Sequence, residues 1–166
     1  GIVCGLSATN SGPVCFGNTV NLSAVNNDTT QTFTYYWSGP SGFAATGKNI
    51  VANPNAAGTF AYNLIAVSQK GDTCTATTEV IIHPLPNVSL TDSTDRVLCN
   101  VANTIFSMAN PGANDSFQWY FNNVAIAGQT GFDITADQTG TYKVIGFTDF
   151  GCVDSSEVHL TLNQTD

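Results

Sequence analysis

Apolar and polar residues alternate along much of this chain. Thr19-Val20-Asn21-Leu22-Ser23-Ala24 changes side at every step, and Thr32-Phe33-Thr34-Tyr35 does the same on the way to Trp37. Ser116-Phe117-Gln118-Trp119-Tyr120-Phe121 places a large ring at every second position. Successive side chains of a strand point to opposite faces, so this period of two predicts half-buried strands. Turn-forming clusters separate them: Asn26-Asn27-Asp28, Ser38-Gly39-Pro40-Ser41-Gly42, Asn53-Pro54-Asn55, Asn110-Pro111-Gly112 and Asp149-Phe150-Gly151. No window of a dozen residues carries an i, i+3, i+4 apolar stripe, so the fold class is all-β and helix is confined to short turns.

The strand pattern occurs twice. Cys15, Trp37, Gly58-Thr59-Phe60, Gly71, Cys74 and Thr78-Glu79-Val80 are followed by Cys99, Trp119, Gly140-Thr141-Tyr142, Gly151-Cys152 and Ser156-Glu157-Val158 in the same order. Tryptophan to the next marked glycine is 21 positions both times, Trp37 to Gly58 and Trp119 to Gly140. Between the copies lies His83-Pro84-Leu85-Pro86-Asn87, whose prolines fix φ and hold their preceding residues extended. This stiff joint places one domain at 1–84 and another at 85–166 and predicts a rod-like pair. Each copy holds six or seven strands in some 80 residues, the size of an immunoglobulin-like sandwich. The expected inner faces carry Val20, Leu22, Tyr35, Trp37, Phe60, Tyr62 and Leu64 in the first domain. In the second they carry Ile105, Phe117, Trp119, Phe121, Tyr142 and Val144.

Composition narrows the function classes. Of 166 residues 42% are hydrophobic and only 10% charged, and the formal net charge is −8. Such a chain repels phosphate backbones and anionic lipid, which argues against nucleic acid and against membrane insertion. No apolar run reaches the ~18 residues of a membrane span. Gly1 to Gly5 lacks the basic start of a signal peptide, so the chain reads as a mature piece of something longer.

Five cysteines allow about fifteen ways of making two bridges. The repeat favours one bridge inside each domain, Cys15 with Cys74 and Cys99 with Cys152, which implies an oxidising, extracellular or cell-surface location. Cys4 is then left over, to bond with a preceding module, to link two chains or to stay free; a partner in a preceding module is favoured. The spacing contains no Cys-x-x-Cys pair of the kind that holds zinc.

Residues for catalysis are scarce. His83 and His159 lie about a domain apart, and the acidic residues form no calcium-binding loop, although Asp92 and Asp95 could meet Asp72 or Asp154 near a domain end. The expectation is a non-enzyme with no catalytic residue, cofactor or metal. If Trp37 and Trp119 point inward, Tyr36 and Tyr120 point outward, with Ile65 and Val67, and equivalently Ile145 and Phe147, on the same outer side. That defines a candidate binding face of Tyr36, Tyr120, Ile145 and Phe147. Phe43 and Phe150, in turn-rich segments, are further candidates for ligand contact. Asp28-Thr29-Thr30 and Asp92-Ser93-Thr94 resemble a bacterial O-glycosylation pattern.

The runs VCFGNTVNLSAV, YYWSGPSG, AAGTFAYNLIAVSQKGDTCTATTEVII, FQWYFN and QTGTYKVIGFTDFGCVDSSEVHLTL resemble the tandem immunoglobulin-like or PKD-like modules of exported Bacteroidetes surface proteins. The resemblance implies a module found in strings within adhesins, gliding-motility proteins and multidomain surface enzymes. The chain is therefore expected to be a non-catalytic stalk or adhesion module, a rigid spacer with a face for a surface protein or a glycan and with other modules of its parent chain as neighbours. The alternative is an accessory region of a carbohydrate-active or other multidomain secreted enzyme.

Overall fold

A computed structural model describes residues 4–165. The chain divides into two compact units, Gly1–Pro84 and Leu85–Asp166.

The first unit contains β1 (Leu6–Asn10), β2 (Val14–Cys15), β3 (Val20–Asn26), β4 (Phe33–Ser38), β5 (Ala44–Thr46), β6 (Asn49–Ala52), β7 (Gly58–Ser68) and β8 (Thr73–His83). They form a three-stranded sheet β1-β3-β6 and a five-stranded sheet β2-β8-β7-β4-β5. After β1 the chain passes a cis Gly12–Pro13 bond and crosses to the other sheet, where β2 pairs in parallel with the end of β8. Val20, Leu22 and Ala24 from one sheet and Trp37, Tyr62, Leu64, Val80 and Ile82 from the other fill the space between them. Tyr35 and Phe60, expected in that core, are half-buried at its margin.

The second unit contains β9 (Arg96–Cys99), β10 (Thr104–Ser107), β11 (Ser116–Phe121), β12 (Val124–Ala125), β13 (Asp133–Ala136), β14 (Gly140–Phe147) and β15 (Val153–Asn163). Strands β10 and β13 pair with each other, and β12-β11-β14-β15-β9 make the opposing sheet, with β9 parallel to β15. In both units the strand order is that of an immunoglobulin-like sandwich, and the chain is all-β as the alternation predicts. Trp119, Val144, Val158, Leu160 and Phe106 form the centre of the second core.

Ile105 does not belong to that core. It is 55% exposed, and its neighbour Phe106 is fully buried opposite Ile134. Two adjacent apolar residues leave the parity of a strand open, and the larger ring removes more apolar area from water by facing inward.

The register of the central strands also corrects the repeat. Trp37 lies opposite Leu64, and Trp119 lies opposite Val144. Tyr62 is therefore the counterpart of Tyr142, two residues along from the alignment that the Gly-Thr-aromatic runs suggest. The hairpins after β7 and β14 match on this offset. Ser68 N donates to Asp72 O and Gly71 N to Ser68 O, as Thr148 N donates to Cys152 O and Gly151 N to Thr148 O. Gly71 and Gly151 take the left-handed conformation, φ 89° and 83°, that each turn requires.

That offset overturns the expected bridges. Cys74 lies within β8 opposite Ala66, whereas Cys152 occupies the hairpin position that Asp72 holds in the first unit. Cys15 and Cys99 are true counterparts, beside His83 at the end of β8 and Asn163 at the end of β15. Cys15 is thus nine positions along the sheet from Cys74, roughly 30 Å at the rise of a strand. A disulfide needs Cα atoms within about 7 Å. Cys99 and Cys152 are separated in the same way along β15. The partner of Cys74 is Cys4, with Cα atoms 5.7 Å apart, so the cysteine expected to bond outside this chain closes a loop within the first unit. Cys99 is an exposed free thiol.

Candidate binding surface

Each tryptophan anchors a sheet through its ring and its N–H. Trp37 Nε1 donates to Gly47 O and Trp119 Nε1 to Gly131 O, both at 3.0 Å, so the buried indoles leave no polar atom unpaired. With the tryptophans facing inward, the period of two turns Tyr36 and Tyr120 outward.

In the first unit Tyr36 and Ile65 are direct cross-strand partners on the solvent side of the five-stranded sheet, 47% and 43% exposed. Thr75 flanks Ile65 on β8 and Thr46 flanks Tyr36 on β5. One row away Thr34 faces Val67, and the Thr77 hydroxyl donates to Asn63 Oδ1 at 3.0 Å. The result is an apolar pair in a threonine-rich, uncharged surround.

The second unit arranges its outward residues differently. Tyr120 pairs with Lys143, whose Nζ lies 5.4 Å from the ring centroid and donates to Asn123 Oδ1 at 3.1 Å. The half-buried Tyr120 is thereby partly covered. Ile145 faces Gln118, and Phe147 faces Ser116 and Val153 near the hairpin end. Tyr36 and Tyr120 are not counterparts: Tyr36 precedes its tryptophan and Tyr120 follows its own, so they flank the tryptophan position on opposite sides.

Phe43 follows a short 3-10 turn, Pro40–Gly42, and packs edge-on against Tyr62 with centroids 5.3 Å apart. It is half-buried against the core, not a projecting ring. Phe150, at the tip of the β14–β15 hairpin, is 68% exposed.

Asp28, Asp92 and Asp95 have structural engagements. The Asp28 carboxylate accepts from Thr30 N at 2.8 Å, from the Thr30 hydroxyl at 2.6 Å and from Gln31 Nε2 at 3.2 Å. Asp92 accepts from the backbone and hydroxyl of Thr94 and lies 3.8 Å from Arg96. Bonds from the Thr30 hydroxyl hold the Asp28 carboxyl below its ordinary value, and those from the Thr94 hydroxyl do the same for Asp92. Both Asp-x-Thr runs are therefore Asx-type turns whose threonine hydroxyls are engaged. Asp95 Oδ1 accepts from His159 N at 2.9 Å, and His159 Nδ1 lies 3.2 Å from the Thr141 hydroxyl. Among the described residues no group of three or more metal-ligating side chains comes together, and no helix is long and apolar enough to cross a membrane.

These features define a protein of two immunoglobulin-like units with a candidate interaction face on a five-stranded sheet. No protein-family model and no curated protein matches the sequence. Among solved structures the chain is similar to the insect immune protein hemolin, with a TM-score of 0.52 and 10% identity over 90% of this chain and 44% of hemolin. It is also similar to the fibronectin(III)-like modules of Clostridium thermocellum CbhA (TM-score 0.42, 15% identity, 95% of this chain and 94% of that one). Murine CEACAM1b is a further match (TM-score 0.40, 13% identity, 95% and 99%). At such identities the likeness is one of fold. The chain spans less than half the length of hemolin.

Proposed function

We propose that this chain is a non-catalytic adhesion module of a larger secreted or cell-surface protein, engaging a protein partner through the five-stranded sheet of its first unit. The observation that carries the reading is the Tyr36–Ile65 pair, two large side chains left in solvent on a face with no charge beside them. Tyrosine at the centre of such a patch offers large contact area at low entropic cost.

Other features support the same reading. Cysteines held as disulfides suit an oxidising compartment outside the cytosol. Asp28, Asp92, Asp95 and His159 serve turns and strand edges. Modules of this class are typical of adhesion and spacer regions of multidomain proteins, and the resemblance to exported Bacteroidetes surface modules extends this to a string of such modules in one parent.

The test is a screen of the intact chain against arrayed extracellular-matrix proteins and glycans, beside a Tyr36→Ala/Ile65→Ala variant. Both side chains are exposed, so the variant keeps its fold. A protein ligand whose affinity falls at least about tenfold in the variant is the expected result. Silence on every protein spot, or binding that the variant retains, contradicts the reading.

A further inference from the structure

Both sandwiches are open along one edge. In the second unit β13 pairs only with β10 and β12 pairs only with β11, so the two sheets end without a strand to bridge them. The gap is a cavity of about 330 Å³, at the small end of the ~300–1,000 Å³ typical of small-molecule sites. Phe121, Ile126 and the ring of Tyr142 form its floor; Gln129, Asp133, Asp137 and Gln138 form its rim.

The walls are held in place by the protein's own bonds. Gln129 O accepts from Trp119 N at 2.9 Å, and Ile126 N donates to Trp119 O at 3.0 Å, pinning one wall to the central strand. On the other side Tyr142 Oη donates to Gln138 O at 3.1 Å and accepts from Gln138 N at 3.2 Å, which fixes the turn after β13. Phe121 leans on Tyr142 with centroids 5.0 Å apart. The four rim side chains, in contrast, make no hydrogen bond or ion pair among the described residues. A rigid apolar floor below uncommitted polar groups limits the ordering cost of binding.

The first unit repeats the feature. A cavity of about 200 Å³ has Phe43, Phe60 and Tyr62 as its floor, with Ser41, Asn53 and Asn55 on its rim. Ala52 and Ala136, both fully buried, close the strands that lead to Asn53 and Asp137, so the two rims descend from the same turn.

We infer that the edge cleft of the second unit is a binding site for a neutral hexose unit of a saccharide. A pyranose has an apolar C–H face and a perimeter of hydroxyls that donate and accept. Phe121 and Ile126 match the face. Two carboxylates accept from hydroxyls as charge-assisted bonds, and two glutamine amides add both donors and acceptors. No lysine or arginine lines the cleft, so uronates, sialic acids and sugar phosphates are repelled by Asp133 and Asp137. Two carboxylates alone are too few ligands for a calcium site.

The site is independent of the sheet face proposed above, and its test separates the two. Saturation-transfer NMR on the intact chain would use the methyl glycosides of glucose, galactose, mannose and N-acetylglucosamine, with glucuronate and N-acetylneuraminate as anionic probes. The variants are Asp133→Ala/Asp137→Ala in the cleft and Tyr36→Ala/Ile65→Ala on the sheet. Transfer to at least one neutral glycoside, reduced at least about tenfold in affinity by the cleft variant and unchanged by the sheet variant, is expected. Absence of transfer to all four neutral probes overturns the inference, as does transfer that survives the cleft variant or a preference for the anionic sugars. None of these outcomes alters the reading of the sheet face, which is read on protein ligands.

Discussion

Tyr62 and Tyr142 hold the same place in the two cores and differ in what their hydroxyls do. Tyr142 Oη both donates to and accepts from the backbone of Gln138, four residues upstream, the arrangement of a tyrosine corner. Tyr62 Oη makes no hydrogen bond among the described residues, and burial raises the pKa of both phenols. Tyr142→Phe strands two backbone groups and should cost about 1–2 kcal/mol, whereas Tyr62→Phe should stay within about 0.5 kcal/mol. Urea unfolding of the two variants measures the contrast, and equal effects would show that the corner contributes nothing. The Asx-type turns carry a pH signature. Because the folded Asp28 and Asp92 carboxyls lie below the ordinary 3.8, their contribution is complete above that value and is lost as pH falls through the lower folded value. Thr30→Val and Thr94→Val should each move the neighbouring carboxyl titration upward in a two-dimensional NMR experiment; an unmoved titration would mean that the hydroxyls do not hold the carboxylates.

Strands show what the alternation of residues can and cannot reveal. Where a single large side chain stands between polar neighbours, as at Val20 and Leu22, parity is unambiguous and the expected side faces inward. At Ile105-Phe106 both residues favour burial and only the pairing of β10 with β13 decides. Ile105→Ser should therefore change stability by less than about 0.5 kcal/mol, while Phe106→Ala should cost about 3–5 kcal/mol. The reverse order in thermal or urea unfolding would place Ile105 in the core. The cysteine pairing was hidden for a related reason. Conserved order along a chain says little about register, and a two-residue offset in β14 relative to β7 is enough to move Cys152 into the hairpin while Cys74 stays on its strand. The outward face was legible as a parity. That Tyr120 sits under Lys143 while Tyr36 meets Ile65 depends on which residues face each other across strands, and no local pattern contains that. The edge clefts were illegible for the same reason, since their rims draw on segments that meet only when the sheets stack.

At the scale of the molecule, two independent hydrophobic cores, a low charge content and oxidised cysteines fit a protein that persists outside the cell. Periodicity and repeat were enough to read the sandwich class, because it does not need register. The bond between Cys4 and Cys74 ties together the claims of register and compartment. It encloses a separation of 70 residues, for which the chain-entropy model gives about 4 kcal/mol of stabilisation. The most direct measurement is peptide mapping of protein isolated from its natural source, alkylated without prior reduction. A Cys4–Cys74 cross-linked peptide and alkylation of Cys99 alone are expected. A Cys15–Cys74 cross-link would contradict the strand register, and alkylation of all five cysteines would contradict the extracellular assignment.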